Sequence, residues 1–287
     1  MKFGLMYANA GPFAQPEMLV HLATTAERVG IESIWAVEHV VIPVGYQSTY
    51  PYDPSGKIPI PDQTPIADPL LSLTYAAAVT KTLRLATGIL ILPQRHPLYV
   101  AKEVATLDVL SQGRAILGIG IGWLAEEYDA LGIPFAERAA RTAESVRAIR
   151  SLWKDEAEPF AGKFFRWGKL ESHPKPVQKP GVPIVVGGHT ELAARRAARY
   201  GDGFFPGVAD DDQLGSLLGV LGEESKRIGR DPATIEISSG HRGGPSPDRV
   251  KAFRDAGVSR FLVIPPAFDP DGLTEGLEKL GDLIAKA

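Results

Sequence analysis

Eight times along this chain a short apolar run rich in β-strand formers gives way to a longer stretch with helical spacing, and this alternation constrains the fold more than any other feature. The first run is Lys2 to Tyr7. The helical pattern after it, near Pro16 to Val29, stops at Gly30, the expected left-handed terminator. The second run is Ser33 to Val37. The third, Leu83 to about Ile91, is followed by Val100, Val104 and Leu107 at helical spacing and by Gly113. The fourth is Arg114 to Ile119, with a helix near Arg141 to Trp153 behind it. The fifth is Pro183 to Val186, whose helix opens near Thr190 and ends at Gly201. Gly203 to Phe205, Thr234 to Ile237 and Arg260 to Ile264 complete the series. Eight strand-and-crossover units predict an α/β fold of the closed (β/α)8 TIM barrel type. A doubly wound dinucleotide fold would place GxGxxG after the first strand, where this chain has ANAGPFAQ. The 287 residues fit one such barrel, so residues 1–287 are expected to form a single domain.

Two connections exceed ordinary loop length. Val40 to Pro69, after the second strand, carries seven prolines together with Tyr46, Tyr50 and Tyr52. Barrel active sites lie at the carboxyl ends of the strands, where this insertion departs, so it is expected to be a lid. Asp155 to Gly181, before the fifth strand, contains Phe160, Phe164, Phe165 and Trp167 and is expected to form a hairpin.

Composition narrows the function classes. With 31 basic against 34 acidic residues, a net charge of −3 and no Lys/Arg block, the chain has no electrostatic footprint for nucleic acid or an anionic membrane. The absence of Cys removes disulfides, thiolate metal sites, iron–sulfur clusters and Cys nucleophiles. Gly11 and Pro12 arrive too early for a signal-peptide core, and no apolar run approaches the roughly 20 residues that span a bilayer. A cytoplasmic protein is the expectation.

The chemistry is then sought at eight strand ends. Glu38 and His39 follow the second strand. They form either an acid/base pair, with the carboxylate orienting the imidazole, or a backbone-bonded His beside a rim Glu. GIGIGW, Gly118 to Trp123, follows the fourth strand and lets backbone approach a flat ring or a phosphate. VGGHT after the fifth presents Gly187, Gly188, His189 and Thr190 either as an anion cradle or as a tight turn with a helix cap. SSGHRGG after the seventh, Ser238 to Gly244, is a further candidate cradle, with Arg242 supplying charge. His96, between prolines in PQRHP, either reaches the site or fixes a turn, whereas His21 and His173 belong to surface or helix.

Several chemistries lack their parts. No strand end carries the Lys of a Schiff-base aldolase. The first strand ends in Tyr7, Ala8 and Asn9 rather than a His pair, so no metal site is expected. A glycosidase would pair Glu38 with Glu126 or Glu127, both poorly placed beyond the glycine turn. What remains suits a planar phosphorylated cofactor that carries the reactivity itself.

These residues closely resemble the luciferase-like monooxygenase superfamily, the flavin and deazaflavin barrels of bacterial-luciferase type. The resemblance spans essentially the whole chain. It rests on SIWAVEH, on TGILILPQRHPLYVAKEVATLDVLSQGRAILGIGIGW, on HPKPVQKPGVPIVVGG and on AARRAARYGDGFFP, in that order. The EH pair and the long glycine string are most similar to members that use coenzyme F420, a deazaflavin. The resemblance implies an oxidoreductase that transfers hydride between F420 and a small organic substrate, with His39 beside the ring and Glu38 preceding it. It implies a non-prolyl cis bulge under the ring at Ile89 and Leu90. Phosphate contacts are implied at Gly120, Ile121, Gly122 and Trp123 and at Gly187, Gly188, His189 and Thr190, and a homodimer is implied for the assembly. Ile121 stands where luciferase-type FMN enzymes place an Arg, which favours F420 over an FMN-dependent two-component monooxygenase. Trp123 stands where sugar-oxidising relatives place a carboxylate, which points away from sugars. A barrel that binds cofactor without turnover is the third reading.

Overall fold

The computed structural model describes residues 1–241 and 243–286, so Arg242 of the expected anion cradle lies outside the described residues. The barrel strands are β1 (Lys2–Leu5), β2 (Ser33–Ala36), β3 (Arg84–Thr87), β4 (Ala115–Gly120), β5 (Ile184–Gly187), β6 (Gly203–Phe205), β7 (Glu236–His241) and β8 (Arg260–Val263). Each pairs in parallel with the next, and β8 pairs with β1 in the register Lys2 to Arg260, so the sheet closes on itself as the alternation predicts. The helices are α1 (Pro16–Arg28), α2 (Pro69–Val79), α3 (Pro97–Leu110), α4 (Ala125–Ala130), α5 (Arg138–Trp153), α6 (Glu191–Tyr200), α7 (Asp211–Arg227), α8 (Pro247–Asp255) and α9 (Pro270–Lys286). No helix among the described residues is long and apolar enough to cross a membrane.

Local signals account for the helix starts. Pro69 and Pro97 occupy first-turn positions where a missing N–H costs nothing. Asp68 caps α2 by accepting from Leu70 N and Leu71 N, and the His96 imidazole caps α3 by accepting from Leu98 N. His96 therefore fixes a turn. Thr190 caps α6, whose Ala193, Ala194, Ala197 and Ala198 are buried against the sheet.

Two apolar regions hold the barrel. The larger lies between strands and helices. The smaller fills the interior with Met6, Trp35, Ala86, Ile116, Val185, Phe205 and Leu262. Full burial of each large apolar side chain contributes about 1.5–3 kcal/mol. Below Trp35 the interior is polar: Arg260 on β8, fully buried, donates to Glu32 at 2.7 and 2.8 Å, to Ser238 at 2.8 Å and to Glu236.

Two boundaries and the position of the cis bond differ from expectation. β7 begins two residues later than Thr234, because Asp231 accepts from Ala233 N and winds Pro232–Thr234 into a 3-10 turn. β3 ends at Thr87, the Gly88–Ile89 peptide that follows is cis, and extended structure resumes at Leu90–Ile91, which pairs with β4. The cis bond therefore sits one residue before the Ile89–Leu90 position that the resemblance implied. The insertion at residues 155–181 does form a hairpin, Phe160–Ala161 against Arg166–Trp167, its turn held by the Glu144 carboxylate accepting from Lys163 N, Phe164 N and Phe165 N.

Candidate active site

The exits of β2, β4 and β5 converge beneath the residue 40–69 insertion. His39, just beyond β2, turns its ring edge toward Trp123, with centroids 5.9 Å apart. Trp123 follows β4 and is met from the insertion by Tyr46 at 5.5 Å and Tyr50 at 5.2 Å. Tyr50 contacts Tyr52, which reaches His189 after β5 at 4.6 Å. An aromatic span thus runs from His39 to His189 across the barrel mouth. Edge-to-face rings add about 0.5–1.5 kcal/mol per pair beyond burial. Burial raises the phenols of Tyr50 and Tyr52, the latter to about 12, and the neighbouring Tyr7 phenol adds to both, so all three remain neutral hydrogen-bonding groups. Tyr7 stands at the end of β1 with φ of +58°, a left-handed conformation uncommon outside glycine and concentrated at functional sites.

The expectation that Glu38 orients His39 is corrected by the geometry. Glu38 is buried and turned away, accepting from Ile91 N at 2.5 Å and from the Arg95 guanidinium at 2.8 Å. Burial lifts its carboxyl above the usual range, with the Arg95 charge opposing. Arg95 also bonds Asp68 at 2.6 Å, so this pair anchors the far end of the insertion. The carboxylate that touches His39 belongs to Glu127 on α4: its Oε2 lies 3.1 Å from His39 Nδ1. Burial disfavours its charge, but the His39 imidazole together with the Gln94 amide and the Val41 N–H outweighs this and holds Glu127 below the ordinary carboxylate range.

The glycines after β4 and β5 have a more local cause than ligand approach. A Cβ on Gly120 would meet Ile89 Cδ1 at 2.5 Å, and one on Gly187 would meet Ile89 Cγ2 at 2.5 Å. The Ile89 side chain, projected inward after the cis bond, occupies the space those two residues leave. Gly122, at φ of +68°, turns the chain against Tyr128, whose hydroxyl donates to Ile121 O at 2.6 Å. Ile89, Leu90, Gly120, Ile121, Gly122 and Trp123 are therefore brought together on one side of the mouth.

The β5 exit fits an anion. Gly188 has φ of +135°, a Cβ there would lie 2.8 Å from the Ala193 Cβ, and its N–H donates to Phe205 O at 3.0 Å, so the turn packs closely against the start of α6. His189 Nδ1 is buried with no hydrogen-bond partner among the described residues, and burial favours its neutral ring. The β7 exit fits less well. Ser238 is engaged by Arg260, Ser239 donates to Gly207 O at 3.1 Å, and Gly243 N is taken by His241 Nδ1 at 2.9 Å.

Sequence reasoning missed Arg95 and Tyr7, and it weighed Glu127 only as a poor glycosidase acid. Contacts spanning 57 and 88 residues leave no local signal in one sequence.

Comparison with known proteins agrees with this architecture. Residues 1–262 match the model of the luciferase-like monooxygenase family. An F420-dependent glucose-6-phosphate dehydrogenase of Kineococcus radiotolerans is 33% identical over 235 residues, covering 80% of this chain and 64% of that protein. The coenzyme F420-dependent tetrahydromethanopterin reductase of Methanopyrus kandleri superposes with a TM-score of 0.75 at 19% identity, covering 98% of this chain and 97% of that one. The oxygenating constituent of a Pseudomonas putida diketocamphane monooxygenase, in complex with FMN, gives 0.64 at 23% identity, covering 83% and 66%. At these identities the two structures bear on the fold.

Proposed function

Because the chain belongs to the luciferase-like monooxygenase family, we propose that it is an F420-dependent oxidoreductase that moves hydride between the deazaflavin and a small organic substrate held under the lid. The observation that carries this reading is His39, fixed by a buried carboxylate and set against Trp123 at the mouth, with its other ring nitrogen left for a substrate proton. The bound cofactor would supply the hydride acceptor or donor. The chain supplies the rest. Ile89 and Leu90, which follow the Gly88–Ile89 cis bond, and the Gly120, Ile121, Gly122 and Trp123 turn would support one face of the ring. At the β5 exit the His189 imidazole and the α6 N-terminus would face the phosphate above the Gly187, Gly188 and Thr190 backbone, the Gly188 N–H itself being held by Phe205 O. Tyr46, Tyr50 and Tyr52 close over the substrate and exclude water. In the oxidising direction the His39 imidazole would take the hydroxyl proton of a substrate alcohol as its carbon is oxidised to a carbonyl.

Ile121, where FMN relatives carry an Arg, supports F420 over FMN. A single catalytic domain, acting as a homodimer in the cytoplasm, belongs to the same reading. The exposed Leu71 and Tyr75 on α2 and Tyr99 on α3 support the dimer. Side-by-side titration of apo-protein with F420 and with FMN, followed through Trp fluorescence, tests the cofactor. F420 is expected to saturate the signal. Tight FMN binding with oxygen consumption on reduction would instead make this a monooxygenase, and saturable binding without redox change on any substrate panel would make it a binding protein.

A further inference from the structure

Glu127 is the one acid among the described residues whose carboxylate bonds both His39 and the lid. Its side chain is 1% exposed. One oxygen, Oε2, faces His39 Nδ1 at 3.1 Å, and the other, Oε1, accepts from Val40 N at 2.6 Å and from Val41 N at 3.3 Å. Those amides are the first two of the insertion. The next acid along α4 grips the same segment further on: Glu126 accepts from Gln47 N at 2.6 Å, from Ser48 N at 3.0 Å and from Ser48 Oγ at 2.6 Å, while Ser48 Oγ accepts from Ala125 N at 3.1 Å. Only Glu127 also reaches the imidazole. The Gln94 amide faces the same carboxylate from the turn after β3, and the Tyr128 phenol and the Glu38 carboxyl, the latter already paired with Arg95, complete its polar surroundings.

An ionised carboxylate only accepts hydrogen bonds, so the facing Nδ1 must carry a hydrogen, and in the neutral ring Nε2 then keeps the lone pair. We propose that Glu127 is the positioning residue of this site, fixing His39 as the Nδ1–H tautomer and tying that orientation to the seated start of the lid. It rests on the reading that His39 takes a substrate proton, because only Nε2 with a free lone pair does so. When the lid lifts at Val40 and Val41, Glu127 loses two amide donors and its hold on the imidazole loosens. The competent base is thereby confined to the covered site.

Glu127→Gln tests this with almost no change of volume. The Gln oxygen remains for Val40 N, its amide hydrogens turn toward Nδ1, and His39 must switch to the Nε2–H tautomer. Nitrogen-15 spectra of histidine-labelled apo-protein at neutral pH, with His39 assigned from His39→Ala, read the tautomer directly and need neither cofactor nor substrate. The wild type is expected to show Nδ1–H, Glu127→Gln to show Nε2–H, and Glu127→Asp, still an acceptor-only carboxylate, to return Nδ1–H. Glu126→Gln, which loosens the lid elsewhere, is expected to leave the His39 spectrum unchanged. In turnover, Glu127→Gln should lower kcat about 100-fold or more, as loss of a general base does, with cofactor Kd within a few fold. An Nε2–H spectrum in the wild type, or an unchanged spectrum in Glu127→Gln, overturns the proposal whatever the cofactor proves to be. A switched tautomer with full turnover upholds the positioning and instead removes His39 from the proton transfer proposed above.

Discussion

His39 lies at the meeting point of three parts of the chain: its own strand exit, the α4 carboxylate and Trp123. If it handles the proton, His39→Ala should lower turnover by roughly 10²- to 10⁴-fold, the usual worth of a general acid or base, while cofactor affinity changes only a few fold. Steady-state kinetics beside fluorescence titration check both halves. Unchanged turnover on the true substrate would remove the residue from the chemistry. The motif reading found His39 because histidine is rare in this chain and the strand exit is well defined. It chose the wrong carboxylate because Glu38 is adjacent in sequence, whereas successive residues on an extended segment point to opposite sides. Glu38 accordingly went inward to Ile91 N and Arg95, and His39 outward to Trp123.

At the scale of elements, the lid lies over both proposed subsites, with Tyr50 on Trp123 and Tyr52 on His189. Removing residues 46–62 should raise the substrate KM or lower kcat, and leave the cofactor Kd within a few fold. Isothermal titration of cofactor alongside kinetics separates the two. Loss of cofactor affinity with an intact circular dichroism spectrum would make the lid part of the cofactor site. Helix and strand identities were legible because period and punctuation agree: Thr190 and Gly201 do bracket α6, and Gly30 does stand at φ of +86° after α1. Boundaries were less so. An apolar run such as TGILILP looks continuous, and nothing in its composition marks the cis bond that divides β3 from Leu90–Ile91. The glycines of GIGIGW were seen, yet their partner Ile89 comes from a different strand, so part of their cause was visible only in three dimensions.

For the whole molecule, barrel closure depends on the polar plug beneath Trp35. Arg260 is fully buried and joins β8 to Glu32 before β2 and to Glu236 on β7. Burial works against ionisation of both acids, but Arg260, helped by Lys2 at Glu236 and by Ser33 and Arg84 at Glu32, outweighs it and holds each below its ordinary range. Folded-state values below the unfolded ones stabilise the native state above about pH 4.5, and that contribution fades as the pH falls through the depressed values. Arg260→Ala should cost about 3 kcal/mol at neutral pH, the lower end for breaking a buried pair, since Glu32 and Glu236 are 23% and 30% exposed and regain water. The deficit against wild type should shrink as the pH drops below about 4.5. Denaturant titrations at several pH values measure this, and a pH-independent deficit would assign the loss to packing around Trp35 instead.

The two ends of the lid are held in unlike ways. Its start is gripped through the main-chain amides of Val40 and Val41, which any residue but proline supplies, and its finish through Asp68, at once the α2 cap and the Arg95 partner. Between them Glu126 holds Gln47 and Ser48, and Asn9 and Gly11 bond Ala67 and Pro65. Residues 49–64 therefore form an exchangeable cassette: a different span of similar reach can be spliced there while these main-chain anchors to α4 and to the β1 exit stay in place. Trading that one stretch would recast the aromatic surface over the barrel mouth while the strand exits beneath stayed as they are.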